Sequence, residues 1–178
     1  MNFNKLLIVF TALLFIPYSM QAAEIESGSI AVIDAQGAIF GTEASKQAFE
    51  ELSASKEWKE VDEDLQLKIN EATEIQEKIQ KEGPTMSDEE KIDAQKRLNS
   101  LSQDAQFLNQ KLRTMQDEVA ELVQREQAPK FQKVVSELMR AKGIKILLHN
   151  NAVLGFDRGD PTLNLTPEIT ELLNQKEE

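Results

Sequence analysis

The 178-residue chain contains no cysteine, which excludes both a disulfide framework and a lipid-modified N-terminal cysteine. Aromatic residues make up 6% of it, and beyond the first 23 residues only five Phe and one Trp remain. That is thin for a compact globular core but suits a helical rod built from Leu, Ile, Val and Ala. Positive charge is also short, with 20 Lys and Arg against 31 Asp and Glu, for a formal net charge of −11. Without a basic face or an aromatic stacking platform, a nucleic-acid binder is excluded. No apolar run reaches the ~20 residues that a membrane-spanning helix needs. The longest covers residues 6–16.

That run follows Lys5 and is followed by Pro17 and the small or polar residues 19–23. The pattern predicts an export signal over residues 1–23, cut after Ala22 or Ala23, with no stable membrane insertion afterwards. The remaining length allows one domain, residues 24–178.

The core of that domain is a helical hairpin. From Thr42 onward, Phe49, Leu52, Trp58, Val61, Leu65, Ile69, Ala72, Ile75 and Ile79 recur mostly every three or four residues among charged and polar ones. This predicts an amphipathic helix of roughly 40 residues, about 60 Å long. Gly83-Pro84 ends it, with glycine expected in a left-handed turn. Ser87-Asp-Glu-Glu90 has the spacing of a capping box, which starts the second helix.

The second helix has a stricter pattern. Ala94, Leu98, Leu101, Ala105, Leu108, Leu112, Met115, Val119 and Leu122 alternate steps of four and three. An average of 3.5 is a coiled-coil seam, and the short turn makes the first helix its antiparallel partner. Pro129 predicts a kink, beyond which Phe131, Val134, Val135 and Leu138 carry the apolar face. Gly143 is the expected C-terminal cap.

Strand signals flank the arms. Ser29-Ile-Ala-Val-Ile-Asp34 reads as a strand buried on both faces, with a helical turn at residues 35–40. Residues 144–148 and 153–156 read as a β-hairpin turning on Asn150-Asn151. Thr166-Pro167 opens a last short helix carrying Ile169, Leu172 and Leu173. The fold class is therefore α+β, an antiparallel helical-hairpin arm (residues 43–142) on a small strand base (residues 24–42 and 143–178). Short strands buried on both faces are marginal alone, so the base is expected to oligomerise. Ile30, Val32, Ile33, Ile146, Leu147, Leu148, Val153 and Leu154 are the strand residues expected to bring copies together.

The ionisable residues give no catalytic constellation. The Asp/Glu runs, such as Asp62-Glu-Asp64, fall at helical surface spacing with no pocket-forming sequence around them, so no enzyme is predicted. His149 is the only histidine, and its place at a turn reads as structural rather than as a metal ligand. Lys91, Lys96 and Arg97 near the tip read as a solvated face, with Asp93 available to pair with Arg97. Ile92 and Phe107 stand off the seam and are candidate contacts for a bound chain. Pro84 and Met86 at the tip are weaker candidates, because making the turn already accounts for them. Residues 43–82 hold twelve acidic and six basic side chains, and residues 88–142 hold ten of each. The negative excess therefore lies on the first arm.

The order strand, helical hairpin, strand, strand, helix resembles the Skp/OmpH family of periplasmic chaperones. Ile30-Ala-Val-Ile-Asp34, Asn151-Ala-Val153 and Thr166-Pro-Glu-Ile169 carry the resemblance, while the arms match in pattern. It implies a homotrimer in the periplasm, with strands from three chains forming a barrel. Three arms would then enclose a cavity for unfolded outer-membrane proteins, without ATP, metal or other cofactor. Two features depart from the family. Asp commonly stands where this chain has His149, and well-studied members are basic. Two functions follow: an ATP-independent holdase for unfolded outer-membrane proteins, or a structural adaptor of the envelope whose arms bind one defined partner.

Overall fold

The computed structural model describes residues 29–175, so the export signal expected over residues 1–23 lies outside the described residues. The chain starts with β1 (Ile30–Ile33), in which Ala31, Val32 and Ile33 are all buried. It ends its pass as the middle of a small sheet. On one side β2 (Ile146–His149) pairs with it in parallel, Ile30 opposite Ile146 and Ile33 opposite His149. On the other side the Val32 N–H donates to the Leu163 carbonyl at 2.7 Å, and the Leu165 N–H donates to the Val32 carbonyl at 3.0 Å. Parallel strands need a long crossover, and here the whole helical arm supplies it.

The base is tied together by side-chain caps. Asp34 caps α1 (Ala35–Phe40), accepting from the Gly37 N–H at 2.8 Å. Buried Thr42 caps α2 (Glu43–Ala54), accepting from the Ser45 N–H at 3.2 Å. The last helix, α5 (Thr166–Gln175), supports both. Its Thr166 Oγ1 accepts from the Asp34 N–H, and its Asn174 Oδ1 accepts from the Glu43 N–H, each at 2.9 Å. Ile169 and Leu173 of α5 are fully buried with Ala38, Ile39, Val134 and Leu138 in the main core.

The first arm is two helices rather than one. Ser55 takes an extended backbone (φ −62°, ψ 150°) and caps α3 (Lys56–Glu82), its Oγ accepting from the Trp58 N–H at 3.2 Å. Serine favours this position because its hydroxyl satisfies a backbone N–H left open at a helix start. The interruption is visible as a step of six from Leu52 to Trp58 in a pattern that otherwise steps by three or four. At the tip, Gly83 is right-handed (φ −51°, ψ −36°), which corrects the expected left-handed turn. Glycine is needed there for another reason: a Cβ would collide with the Ile79 carbonyl oxygen.

The capping box forms as expected. Ser87 Oγ accepts from the Glu90 N–H at 3.2 Å, and Glu90 Oε2 accepts from the Ser87 N–H at 2.8 Å. It starts α4 (Asp88–Lys142), whose 55 residues run about 80 Å at 1.5 Å each. Pro129 lies inside α4 and does not end it. Val134 and Leu138, buried in the base just beyond, hold the helix across the missing N–H. Gly143, at φ 68°, closes α4 in the left-handed conformation.

Two inter-arm ion pairs show the register. Arg97 meets Glu71 through two hydrogen bonds of 2.8 Å, and Lys111 meets Glu57 at 3.1 Å. Each pair is spaced equally in sequence on either side of Pro84, so α3 and α4 run antiparallel without slippage. Arg97 thus binds across the arm instead of within its own helix, and Asp93 lies 3.5 Å from Lys96. Val61, Leu65, Leu108 and Leu112 form a separate arm core, with Trp58 and Ala105 against it.

The 3.5-residue seam holds only as far as Val119. Leu122 is 40% exposed, whereas Val123, Gln127, Val134 and Leu138 are buried. Beyond Val119 the helix is enclosed by α1, α2 and α5 instead of by α3 alone. With several partners in place of one, the helix need not keep a 3.5-residue face, and the buried stripe drifts off the heptad.

The expected β-hairpin is absent. Residues 150–152 form a 3-10 turn, capped by His149 Nδ1 accepting from the Asn151 N–H at 3.3 Å. Val153 and Leu154 therefore lie in no strand, and Leu154 is fully exposed. The chain turns away because the third pairing position beside β1 is filled by residues 163–165, not by 153–156. Asp157 and Asp160 shape the intervening loop by accepting from the Gly159 and Thr162 N–H groups.

Candidate functional site

The seam is buried at Val61, Leu65, Leu101, Leu108 and Leu112, but Ile69, expected in the first arm's stripe, is 42% exposed beside Ala72 and Leu98. The apolar side chains left exposed on the arm define the candidate site. Phe107 is 70% exposed, Leu67 64% and Ile92 55%. They are spread along α3 and α4 rather than gathered at one point. Ile92 and Phe107 were expected off the seam, and there they stand. Pro84 is exposed at the tip. Met86 is half-buried and lines a small hollow with Ile75, Ile79 and Ala94, so it packs the turn.

Leu67 and Leu122 were not recognised from sequence. Leu122 counted as the last heptad residue. Leu67 sits two residues from both Leu65 and Ile69, and a helix that buries Leu65 must turn the next alternate position about 200° away. That spacing could have found it.

A groove opens where the first arm breaks. Leu52 and Ser55 stand on one side of it and Phe107, Met115 and Val119 of α4 on the other, enclosing about 530 Å³. The break itself makes the groove: one extended residue replaces a helical turn, and the small Ser55 side chain is spent on the Trp58 N–H. Glu57, Lys111 and Glu118 rim it.

The strand residues divide into two groups. Ile30, Val32 and Ile33 belong to the covered central strand, with Val32 and Ile33 buried. Ile146 is 49% exposed, while Leu147 and Leu148 are half-buried on β2. The outer edge of β2 has no strand partner among the described residues.

Electrostatically the arm is carboxylate-rich but not chemically poised. Glu90 is held below its ordinary carboxylate range by the Ser87 N–H and hydroxyl. Asp160 is likewise held down by the Thr162 hydroxyl and N–H. Both shifts come from local caps. No group of His, Asp and Glu suited to a metal ion occurs among the described residues, and His149 is used to cap a turn. No helix there is long and apolar enough to cross a membrane.

No curated protein matches the chain. Among solved structures, it is similar to a candidate outer membrane chaperone (OmpH-like) from Caulobacter crescentus CB15, with 13% identity and a TM-score of 0.45. That similarity covers 83% of this chain and 85% of the other. The sequence profile of the OmpH-like outer membrane proteins matches residues 29–173, nearly the whole described chain. On that match, the protein belongs to the OmpH-like family of outer membrane proteins.

Proposed function

We propose that this protein is an ATP-independent holdase of the periplasm that binds unfolded outer-membrane proteins and keeps them from aggregating. The observation that carries the reading is the placement of Phe107, Leu67 and Ile92, exposed and dispersed on an arm whose central seam residues are already buried against each other. Dispersed apolar contacts suit weak, many-point capture of an unfolded chain, with avidity from several arms. An adaptor for one defined helix would instead need an unfilled seam, yet Leu101, Leu108 and Leu112 are buried.

In this reading the mature domain begins after the export signal, and three copies join through the base. The open edge of β2, with Ile146 exposed, supports association, since unpaired strand edges favour pairing with another chain. The arms then enclose the client, and no catalytic step or cofactor takes part.

Diluting a denatured outer-membrane barrel protein with and without the mature protein, while following light scattering, tests the holding function. Suppressed scattering is expected at a few-fold molar excess; undiminished aggregation would sink the proposal. Mass by light scattering tests the assembly, for which three chains are expected and a monomer would remove the cavity.

A further inference from the structure

We propose that the groove at the α2–α3 break is a specificity subsite that seats a large apolar side chain of a bound segment beside a Lys or Arg held by Glu118. The inference rests on the holding function above and adds the class of client it favours: unfolded segments that combine apolar and cationic residues.

The shape comes first. About 530 Å³ falls within the roughly 300–1,000 Å³ of pockets that bury a compact ligand group. Leu52, Phe107 and Val119 give it apolar walls, and Met115 adds a flexible one that adjusts to different side chains. Ser55 keeps the space open, because its hydroxyl is committed to the Trp58 N–H and it projects nothing larger.

Charge then selects the occupant. Lys111, the rim's one cation, is paired with Glu57 at 3.1 Å. Glu118 makes no ion pair among the described residues. The rim therefore presents one uncompensated carboxylate. Its neighbours Asp117 and Glu121 lie within one turn on α4, and α2 and α3 carry twice as many acidic as basic residues. A cationic segment gains attraction on approach and a partner on arrival, whereas an acidic one is repelled at both stages.

Fluorescence anisotropy of labelled unfolded peptides against the full mature protein tests this. The probes share one length and carry Lys-Phe-Lys, Glu-Phe-Glu or Lys-Ser-Lys at the centre. At low salt, Lys-Phe-Lys is expected to bind roughly five-fold tighter than Glu-Phe-Glu, about the most one exposed charge pair supplies. It should also bind tighter than Lys-Ser-Lys. Glu118→Lys should reduce the charge preference to the part that the surrounding acidic side chains supply, and Phe107→Ser should weaken both Phe probes. Both residues are exposed, so both variants should keep the parental circular dichroism. Equal binding of the acidic and basic probes, or a preference unchanged by Glu118→Lys, would overturn the subsite. So would probe binding that vanishes as the protein self-associates, since a second copy would then cover the groove. The aggregation assay separates the two readings. Suppression of aggregation without charge preference removes only the subsite, whereas failure of suppression removes the holding function itself.

Discussion

Replacing Ile169 by Ala should loosen the base while leaving the arm folded. Ile169 is fully buried in the cluster that joins β1, α1, the end of α4 and α5. The substitution removes three carbons, about 2.4 kcal/mol at ~0.8 kcal/mol per methylene, and leaves a cavity. Core changes of this kind cost ~2–5 kcal/mol in total, so about 3 kcal/mol is a fair expectation. For a chain of this size that corresponds to roughly a 10 °C fall in Tm. The arm has its own cluster around Val61, Leu65, Leu108 and Leu112, which contains no residue of the base. Hydrogen exchange should therefore quicken at β1, β2 and α5 and stay near parental rates at residues 58–112. Opening of one cooperative unit without another is expected where apolar clusters are separate. Equal acceleration in arm and base would refute the reasoning, because α4 would then be transmitting the loss as a single unit.

Glu71→Gln breaks the two-bond pair with Arg97, but both side chains are over 40% exposed, so the cost should stay below about 1 kcal/mol. Its effect on thermal melting should shrink in high salt, and a salt-independent loss would contradict a surface pair. Gly143→Ala places a Cβ at φ 68° and should cost about 1 kcal/mol by chemical denaturation; an unchanged midpoint would remove the cap's role. Acid should fray the arm's tip first. Glu90 is lowered from its ordinary 4.5, so its contribution is fully present above that pH and is lost as pH falls through the depressed folded value. Amide protection at residues 87–91, taken relative to the intrinsic exchange rate at each pH, should fall as pH drops below the ordinary 4.5, and Glu90→Gln should remove that pH dependence.

The arm was largely legible because its signals are local. Hydrophobic spacing gave the two helical partners, Ser87 and Glu90 gave the start of α4, and Gly143 gave its end. These features depend on residues within a turn of one another. Phe107 and Ile92 were legible as off-seam for the same reason: a helix converts sequence spacing directly into facing direction. The break at Ser55 was present as a gap in the apolar pattern, but a serine among charged residues is also ordinary helix surface. Only the cap on the Trp58 N–H distinguishes the two.

The base was less legible, since its pairings are distant in sequence. Asn150-Asn151 between two apolar runs is a sound hairpin signal, yet β1 takes β2 on one side and residues 163–165 on the other. Residues 153–156 are left out of that sheet. Sequence by itself determined the helical hairpin, its antiparallel pairing, its caps and its acidic balance. Tertiary structure decided which strand became central, where the heptad gave way to base packing, and that a groove opens beside Phe107. Those outcomes depend on which surfaces compete for the same partner, and a competition between residues more than a hundred positions apart leaves no local pattern to read.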